Sequence, residues 1–198
     1  MSEKHRSYFN EKASNWDELM AHRSLRDIEE MIRALEIRPG SNILDAGTGT
    51  GILLPILKNL AGKSGKIFAL DIAEEMLAQA RIKNGDSIAY VRGDLTATPF
   101  EQDFFDEIIC YSCFPHIVDK AKAIQEIMRI AKPGGRVTIC HTSAREGLNN
   151  MHQSIGGVVG SDMLPDDDTM RALFNQAGFA DIRITDRDNK YLLVSRKP

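Results

Sequence analysis

This chain of 198 residues has no apolar run approaching the ~20 residues that a membrane-crossing helix needs. Its first residues, Met1-Ser2-Glu3-Lys4-His5-Arg6, are polar and lack the apolar segment of a secretory signal. Cysteine is scarce: Cys110, Cys113 and Cys140 make an odd set of three. That speaks against a disulfide framework and fits a reducing compartment, so the expected location is the cytoplasm. Cys110 and Cys113 have the gap of a zinc or redox pair, but a second pair is lacking, and no metal is expected. Charge of one sign is lacking too. With 25 basic and 28 acidic residues the net charge is -3, which argues against a nucleic-acid partner held through phosphates. Repeats and low-complexity linkers are absent. Hydrophobic content of 42% and charged content of 27% are those of an ordinary globular chain with a complete core.

The most informative stretch runs Ile43-Leu44-Asp45-Ala46-Gly47-Thr48-Gly49-Thr50-Gly51. Its apolar start reads as a buried strand. The three glycines let the backbone turn tightly and approach a ligand with no side chain between. An amphipathic stretch, Ile52 to Leu60, follows at once. Strand, glycine turn and helix form the first crossover of a doubly wound nucleotide-binding sheet. A dinucleotide fingerprint wants a third Gly or Ala three residues after the second, where this chain has Gly51 one place early and Ile52 in the expected position. A diphosphate also gains nothing from a carboxylate such as Asp45, whereas an ammonium or sulfonium does. The spacing therefore favours S-adenosylmethionine over NAD.

The remaining pattern alternates strand and helix. Strands are expected at 42–45, 66–71, 88–92, 105–111, 136–142, 181–186 and 191–196, and helices at 50–61, 73–83, 120–130 and 168–177. Ahead of them, Tyr8, Phe9, Ala13, Trp16 and Leu19 or Met20 fall at helical spacing in residues 1 to about 22. A second helix is expected over 24–35, with Ile28, Met31, Ile32 and Leu35 on one face. Such alternation predicts a mostly parallel sheet covered on both faces. The last two strands are joined by too short a turn for a crossover and should pair antiparallel.

Motif by motif, the chain resembles the class I S-adenosylmethionine-dependent methyltransferases, of the small-molecule, type 11-like kind. Ile43–Gly51 resembles their first motif. Ala69-Leu70-Asp71 through Met76 resembles the second, Gly93-Asp94-Leu95 with Pro99-Phe100 the third, Phe105–Tyr111 the fourth strand, and Lys132-Pro133-Gly134-Gly135-Arg136 the turn before the fifth. The resemblance implies an α/β, Rossmann-like, doubly wound sheet of seven strands in the order 3-2-1-4-5-7-6, with one antiparallel strand. It implies a single methyltransferase domain over 1–198, with a helical cap (1–35) on a Rossmann-like core (36–198). It also implies in-line transfer of a methyl group from S-adenosylmethionine to a small molecule, leaving S-adenosylhomocysteine. Two alternatives stay open: a cofactor-binding accessory module without turnover, and an NAD-dependent reductase. Acceptor identity and oligomeric state are open as well, a homodimer included.

Ligands of such sheets bind beyond the carboxyl ends of the strands, where the strand order reverses. Gly47, Thr48, Gly49 and Gly51 would pass beneath the methionine part of the cofactor, with Asp45 facing its ammonium. Asp71, about twenty residues on, has the spacing of a ribose-binding acid, or of a cap for the next helix. Ile72 and Met76 would pack on adenine. Gly93, Asp94 and Leu95 would serve its amino group and a ring nitrogen. Tyr111 and Ser112 would line the methionine end. The segment from Phe9 to Asp17 resembles the N-terminal signature of menaquinone- and ubiquinone-type methyltransferases, which implies a lid made of Tyr8, Phe9, Trp16 and Met20.

On the acceptor side, Ser112-Cys113-Phe114-Pro115-His116 follows the fourth strand and His141 ends the fifth. His116 and His141 are the candidate catalytic groups, because a base near neutral pH is needed when the acceptor has a proton to lose. Asn149 and His152 share one face if their segment is helical, so His116, His141, Asn149 and His152 make up the candidate substrate site. Residues 156–168 are expected to form a flexible loop over it, with Asp166, Asp167 and Asp168 as a helix start rather than a metal site.

Overall fold

A computed structural model describes residues 1–21 and 24–198. The far end of the expected N-terminal cap, at His22, lies outside the described residues. Seven strands form one sheet: β1 Asn42–Ala46, β2 Lys66–Asp71, β3 Ala89–Arg92, β4 Phe105–Tyr111, β5 Ala131–His141, β6 Ala180–Arg187 and β7 Lys190–Arg196. Their order is β3-β2-β1-β4-β5-β7-β6, as the resemblance implies. β1 pairs in parallel with β2 and β4, and β7 runs antiparallel between β5 and β6. The helices are α1 Glu3–Lys12, α2 Trp16–Leu19, α3 Leu25–Arg33, α4 Leu54–Ala61, α5 Glu74–Asn84, α6 Lys120–Ile130, α7 Arg145–Ile155 and α8 Asp167–Gln176.

β1 and β4 are central and read as near-continuous apolar runs, because both faces of a parallel sheet are covered. On one face Ile28, Ile32, Ile43, Leu54, Leu57 and Ile109 pack together. On the other, Leu44, Ile108, Phe114, Ile124, Ile127 and Phe174 form the larger cluster. Burying each such side chain contributes roughly 1.5–3 kcal/mol before entropy is charged against it. A smaller group, Phe9, Ala13, Ala73, Met76 and Val159, seats α1 on the start of α5.

Two boundaries differ from expectation by four residues or more, each for a backbone reason. α4 begins at Leu54, not Thr50, because Gly49 (φ 56) and Gly51 (φ 84) stand in the left-handed region, which a right-handed helix cannot contain. β5 reaches back to Ala131, which pairs with Phe105; the register then shifts, so that Arg136 pairs with Glu107 and the Lys132–Gly135 turn is passed over. The 156–168 segment is packed, not loose: Val159, Asp162 and Leu164 are buried, the last in the main core. α8 starts where the acidic run placed it, with the Asp166 carboxylate accepting from the Thr169 N–H at 2.8 Å. The conditional helix around Asn149 exists as α7.

The glycine turn is also tight from behind. A Cβ on Gly47 (φ 75) would stand 2.1 Å from Cys113 Sγ. Gly134 has the same φ of 75 with nothing within 4 Å. Left-handed backbone alone costs an L-residue about 1–2 kcal/mol, and overpacking adds about 1–3 kcal/mol. Gly47→Ala is therefore expected to lower unfolding free energy in urea by about 2–4 kcal/mol, and Gly134→Ala by about 1 kcal/mol. Equal losses would show that the close approach to Cys113 does not matter.

Candidate functional site

The strand order reverses between β1 and β4, and a cavity of about 560 Å³ opens there. The glycine turn lies on it, with Asp45, Gly47, Thr48, Gly49, Gly51, Asp71, Met76, Tyr111 and Ser112 among the lining residues. Gly49 is open toward it: a Cβ there would meet nothing nearer than Trp16 Nε1 at 4.0 Å. Ile72, Gly93, Asp94 and Leu95 border a smaller neighbouring cleft that shares Gly47, Asp71 and Cys113 with the main one. Nine of the thirteen cofactor-side residues expected from sequence thus line the main cavity, and the other four line the cleft beside it.

Two buried carboxyls organise the turn. The Asp71 carboxylate accepts from the Gly49 N–H at 2.8 Å and the Ala73 N–H at 2.9 Å, tying the loop after β1 to the loop after β2. Burial raises its pKa, and these backbone donors partly offset the rise. Two further lone-pair directions remain to it. Asp45 accepts from Thr48 Oγ1 at 2.7 Å. Burial pushes its pKa up to about 7; the Thr48 bond opposes the rise and the charge of Asp71 adds to it. A diphosphate would be repelled by this pair, and a cation would be favoured. With the open cradle at Gly49, these residues fit an adenosyl sulfonium amino acid.

Asp94 departs from the simple expectation. Its Oδ2 accepts from the Met1 amino group at 2.6 Å, and its Oδ1 accepts from the Thr96 backbone N–H and hydroxyl. Ser112 holds a left-handed φ of 52 without being glycine, a strained geometry at the point where β4 meets the cavity.

Of the four expected lid residues, Phe9, Trp16 and Met20 line the cavity. Tyr8 does not; it packs edge-on against Phe9 at 5.3 Å between centroids. The N-terminal segment is held by polar contacts that no local pattern announced. Asp17 accepts from Thr50 Oγ1 at 2.6 Å and pairs with Lys83. Arg6 forms a two-pronged bond to Glu74, and Asn10 accepts from the Glu75 N–H at 3.0 Å.

The acceptor-side candidates divide. His116 lines the cavity and is buried. His152 lies against it, ring centroids 4.9 Å apart. His141 is not brought to them: it pairs in the sheet with Tyr191, whose ring lies 6.3 Å from its own, and it is not among the lining residues. β5 ends one strand further out, which places His141 in the core. Asn149 is committed elsewhere, its side-chain amide donating to the Leu164 carbonyl at 3.0 Å and accepting from the Leu164 N–H at 2.9 Å. It is a clamp for the chain before α8. Sequence reasoning missed Asp162 and His5, which touch His116 or its partners from 46 and 157 residues away; no spacing rule links such positions. Among the described residues, no group of three or more His, Cys, Asp or Glu has metal-holding geometry.

A doubly wound sheet of this order, with an acid-bearing glycine turn at its switch point, defines a methyltransferase-type cofactor domain. Residues 44–139 match the family model described as a methyltransferase domain. The "ubiquinone/menaquinone biosynthesis C-methyltransferase UbiE" of Cronobacter sakazakii is 31% identical over 173 residues, covering 74% of this chain and 69% of that protein. The protein of the same description from Vibrio vulnificus is 30% identical over 72% of this chain, and this chain spans 65% of its length. A solved SAM-dependent methyltransferase from Aquifex aeolicus shares the fold, with a TM-score of 0.70 at 21% identity, covering 86% of this chain and 89% of that one. The chain belongs to the class I S-adenosylmethionine-dependent methyltransferases. S-adenosylmethionine is that family's cofactor, which sets the nicotinamide alternative aside.

Trp16 is the only tryptophan and lines the cavity. Titration with S-adenosylhomocysteine is expected to change its fluorescence emission saturably, with Trp16→Phe losing the signal while calorimetry still records binding. An unchanged emission on saturation would place the ligand away from the glycine turn.

Proposed function

We propose that this chain transfers a methyl group from S-adenosylmethionine to a small-molecule acceptor, with His116 on the acceptor side. The observation that carries this reading is the shared cavity: the acid-bearing glycine turn and His116 line the same 560 Å³ space. The relatives' description as C-methyltransferases of quinone biosynthesis supports a small acceptor. So does the lid, whose Phe9 and Trp16 enclose the space with apolar surface and keep water from the reacting atoms.

In this reading Asp45 faces the cofactor's ammonium and Asp71 accepts from its ribose hydroxyls with the lone pairs left after Gly49 and Ala73. Met76 and Ile72 pack on the adenine, with Asp94 and Leu95 at its edge. Tyr111 and Ser112 border the methionine end. Bound S-adenosylmethionine supplies an electrophilic methyl group on a sulfonium, which leaves with the bonding pair on sulfur. The protein's part is alignment, exclusion of water and, for an acceptor that loses a proton, a base.

The pKa of Asp45 gives this assignment a sign. In the free protein the group is protonated below about pH 7, and only its ionised form attracts an ammonium. Affinity for S-adenosylhomocysteine, measured by calorimetry, is expected to rise up to about tenfold per pH unit below the pKa and to level off above it. Asp45→Asn should bind at least about tenfold more weakly at the plateau, with the slope gone. A wild-type affinity that falls with rising pH would remove Asp45 from the ammonium.

Turnover is tested separately, with isotope-labelled cofactor and a small-metabolite extract. A labelled small product is expected, reduced about 10²-fold or more in His116→Ala. Tight cofactor binding with no labelled product would favour the accessory-module reading instead.

A further inference from the structure

Asp162 is the hub of a buried cluster outside the cofactor contacts. Its carboxylate meets His5 Nε2 at 3.0 and 3.1 Å and His116 Nδ1 at 2.7 Å, and its backbone carbonyl meets His152 Nδ1 at 2.6 Å. The three histidines come from α1, the turn after β4 and α7. His116 alone of the four lines the cavity.

The hydrogen-bond partners fix where each proton sits. A carbonyl oxygen only accepts, so His152 donates from Nδ1. His5 Nδ1 accepts from the Ser2 backbone N–H at 3.4 Å in the capping box of α1, which leaves its Nε2–H to donate to Asp162. An ionised carboxylate also only accepts, so His116 donates from Nδ1 and keeps Nε2 unprotonated. The ionisation states agree with this. Burial works against the Asp162 charge, but the bonds and charges of His116 and His5 outweigh it and hold its pKa below the ordinary value. Burial lowers the His116 pKa, Asp162 offsets part of that, and His152 and His5 lower it further.

Neighbouring side chains frame this cluster. Lys120 on α6 donates its ammonium to the Pro115 and Ile117 carbonyls at 3.1 and 2.8 Å, bracketing His116 in the turn. Phe9 on α1 contributes an apolar edge, 5.1 Å from the His116 ring centroid.

We propose that Asp162 and His116 form a proton-accepting dyad beside the cofactor cavity, Asp162 being the positioning residue. The acceptor is then of the class that must lose a proton on methylation: a hydroxyl or an activated carbon–hydrogen group, not a thioether or tertiary amine. The acceptor atom bonds to the methyl carbon, the carbon–sulfur pair stays on sulfur, and the acceptor's proton goes to Nε2 of His116. Asp162 holds the imidazole in the one tautomer that can take it. Because His5 donates to the same carboxylate, the dyad is complete only with α1 in place over the cavity.

This inference rests on the methyl-transfer reading, and its test separates the two. Calorimetry with S-adenosylhomocysteine tests cofactor binding alone. Nitrogen-15 imidazole NMR of the full chain reads the tautomer without any acceptor. Wild type is expected to show His116 neutral at about pH 7 with the proton on Nδ1. In Asp162→Asn the amide can donate to Nδ1, so the proton should move to Nε2. Labelled transfer to the metabolite extract should then fall about 10²–10⁴-fold, while S-adenosylhomocysteine affinity stays within about threefold. A structural role alone would leave the tautomer where it was. A wild-type His116 protonated on Nε2, or charged at neutral pH, overturns the dyad, as does undiminished transfer by Asp162→Asn. Should that variant fail to fold, the wild-type tautomer still decides. A dyad confirmed by NMR without cofactor binding would instead overturn the methyl-transfer reading.

Discussion

The carboxylate of Asp71 holds the site together. One oxygen takes the Gly49 N–H from the turn after β1, and the other takes the Ala73 N–H at the start of α5. Two loops that would otherwise move independently become one surface. The turn is reinforced from beneath, where the Gly47 and Thr48 N–H groups both donate to the Leu70 carbonyl at 2.8 and 3.0 Å. A buried carboxylate with these backbone donors is satisfied; one without them would carry a desolvation cost of several kcal/mol. The position of the glycine loop thus follows from where β2 ends, and β2 is fixed by its pairing with β1 and β3.

The N-terminal segment is built onto this surface from two directions. Arg6, Asn10 and Asp17 reach α5 and the glycine turn, while His5 reaches Asp162. Phe9 sits between them, touching Trp16 on one side and His116 on the other. The contacts of Arg6, Asn10 and Asp17 are at least partly exposed and individually weak, while that of His5 to Asp162 is buried. Their number, not their strength, orients the segment.

The fold was legible in the sequence because its signals are local. Apolar runs at β1, β2 and β4, helical spacing in α6 and the glycine turn all declare themselves within ten residues. The residues expected on the cofactor side come together for the same reason, since Asp45, Gly49 and Asp71 belong to one crossover. Those expected on the acceptor side do not all do so. His141 and His116 both follow strands on the ligand side, yet one strand further out is enough to put His141 against Tyr191. Asn149 looked free because nothing in its neighbourhood shows the Leu164 backbone that it clamps. Asp162 looked like part of a loose glycine-rich loop. Its burial depends on His5, which is 157 residues away and whose role in the α1 capping box is the only local hint of a special position.

The three acids Asp45, Asp71 and Asp162 show one device used to different ends. Each is buried, and burial alone would push each toward the neutral form. What distinguishes them is the supply of donors. Asp71 has two backbone N–H groups and serves as scaffold. Asp162 has two imidazoles close enough to outweigh its burial, so it remains charged and sets their protons. Asp45 has a single hydroxyl from Thr48, too little to outweigh burial, and is left poised near neutrality. A carboxyl in that state is short of a positive partner, and it lies on the cavity wall. Bringing a cation to it relieves a cost that folding left in place. A positive group bound here would therefore gain from the buried carboxylate of Asp45 as well as from the contacts made around it.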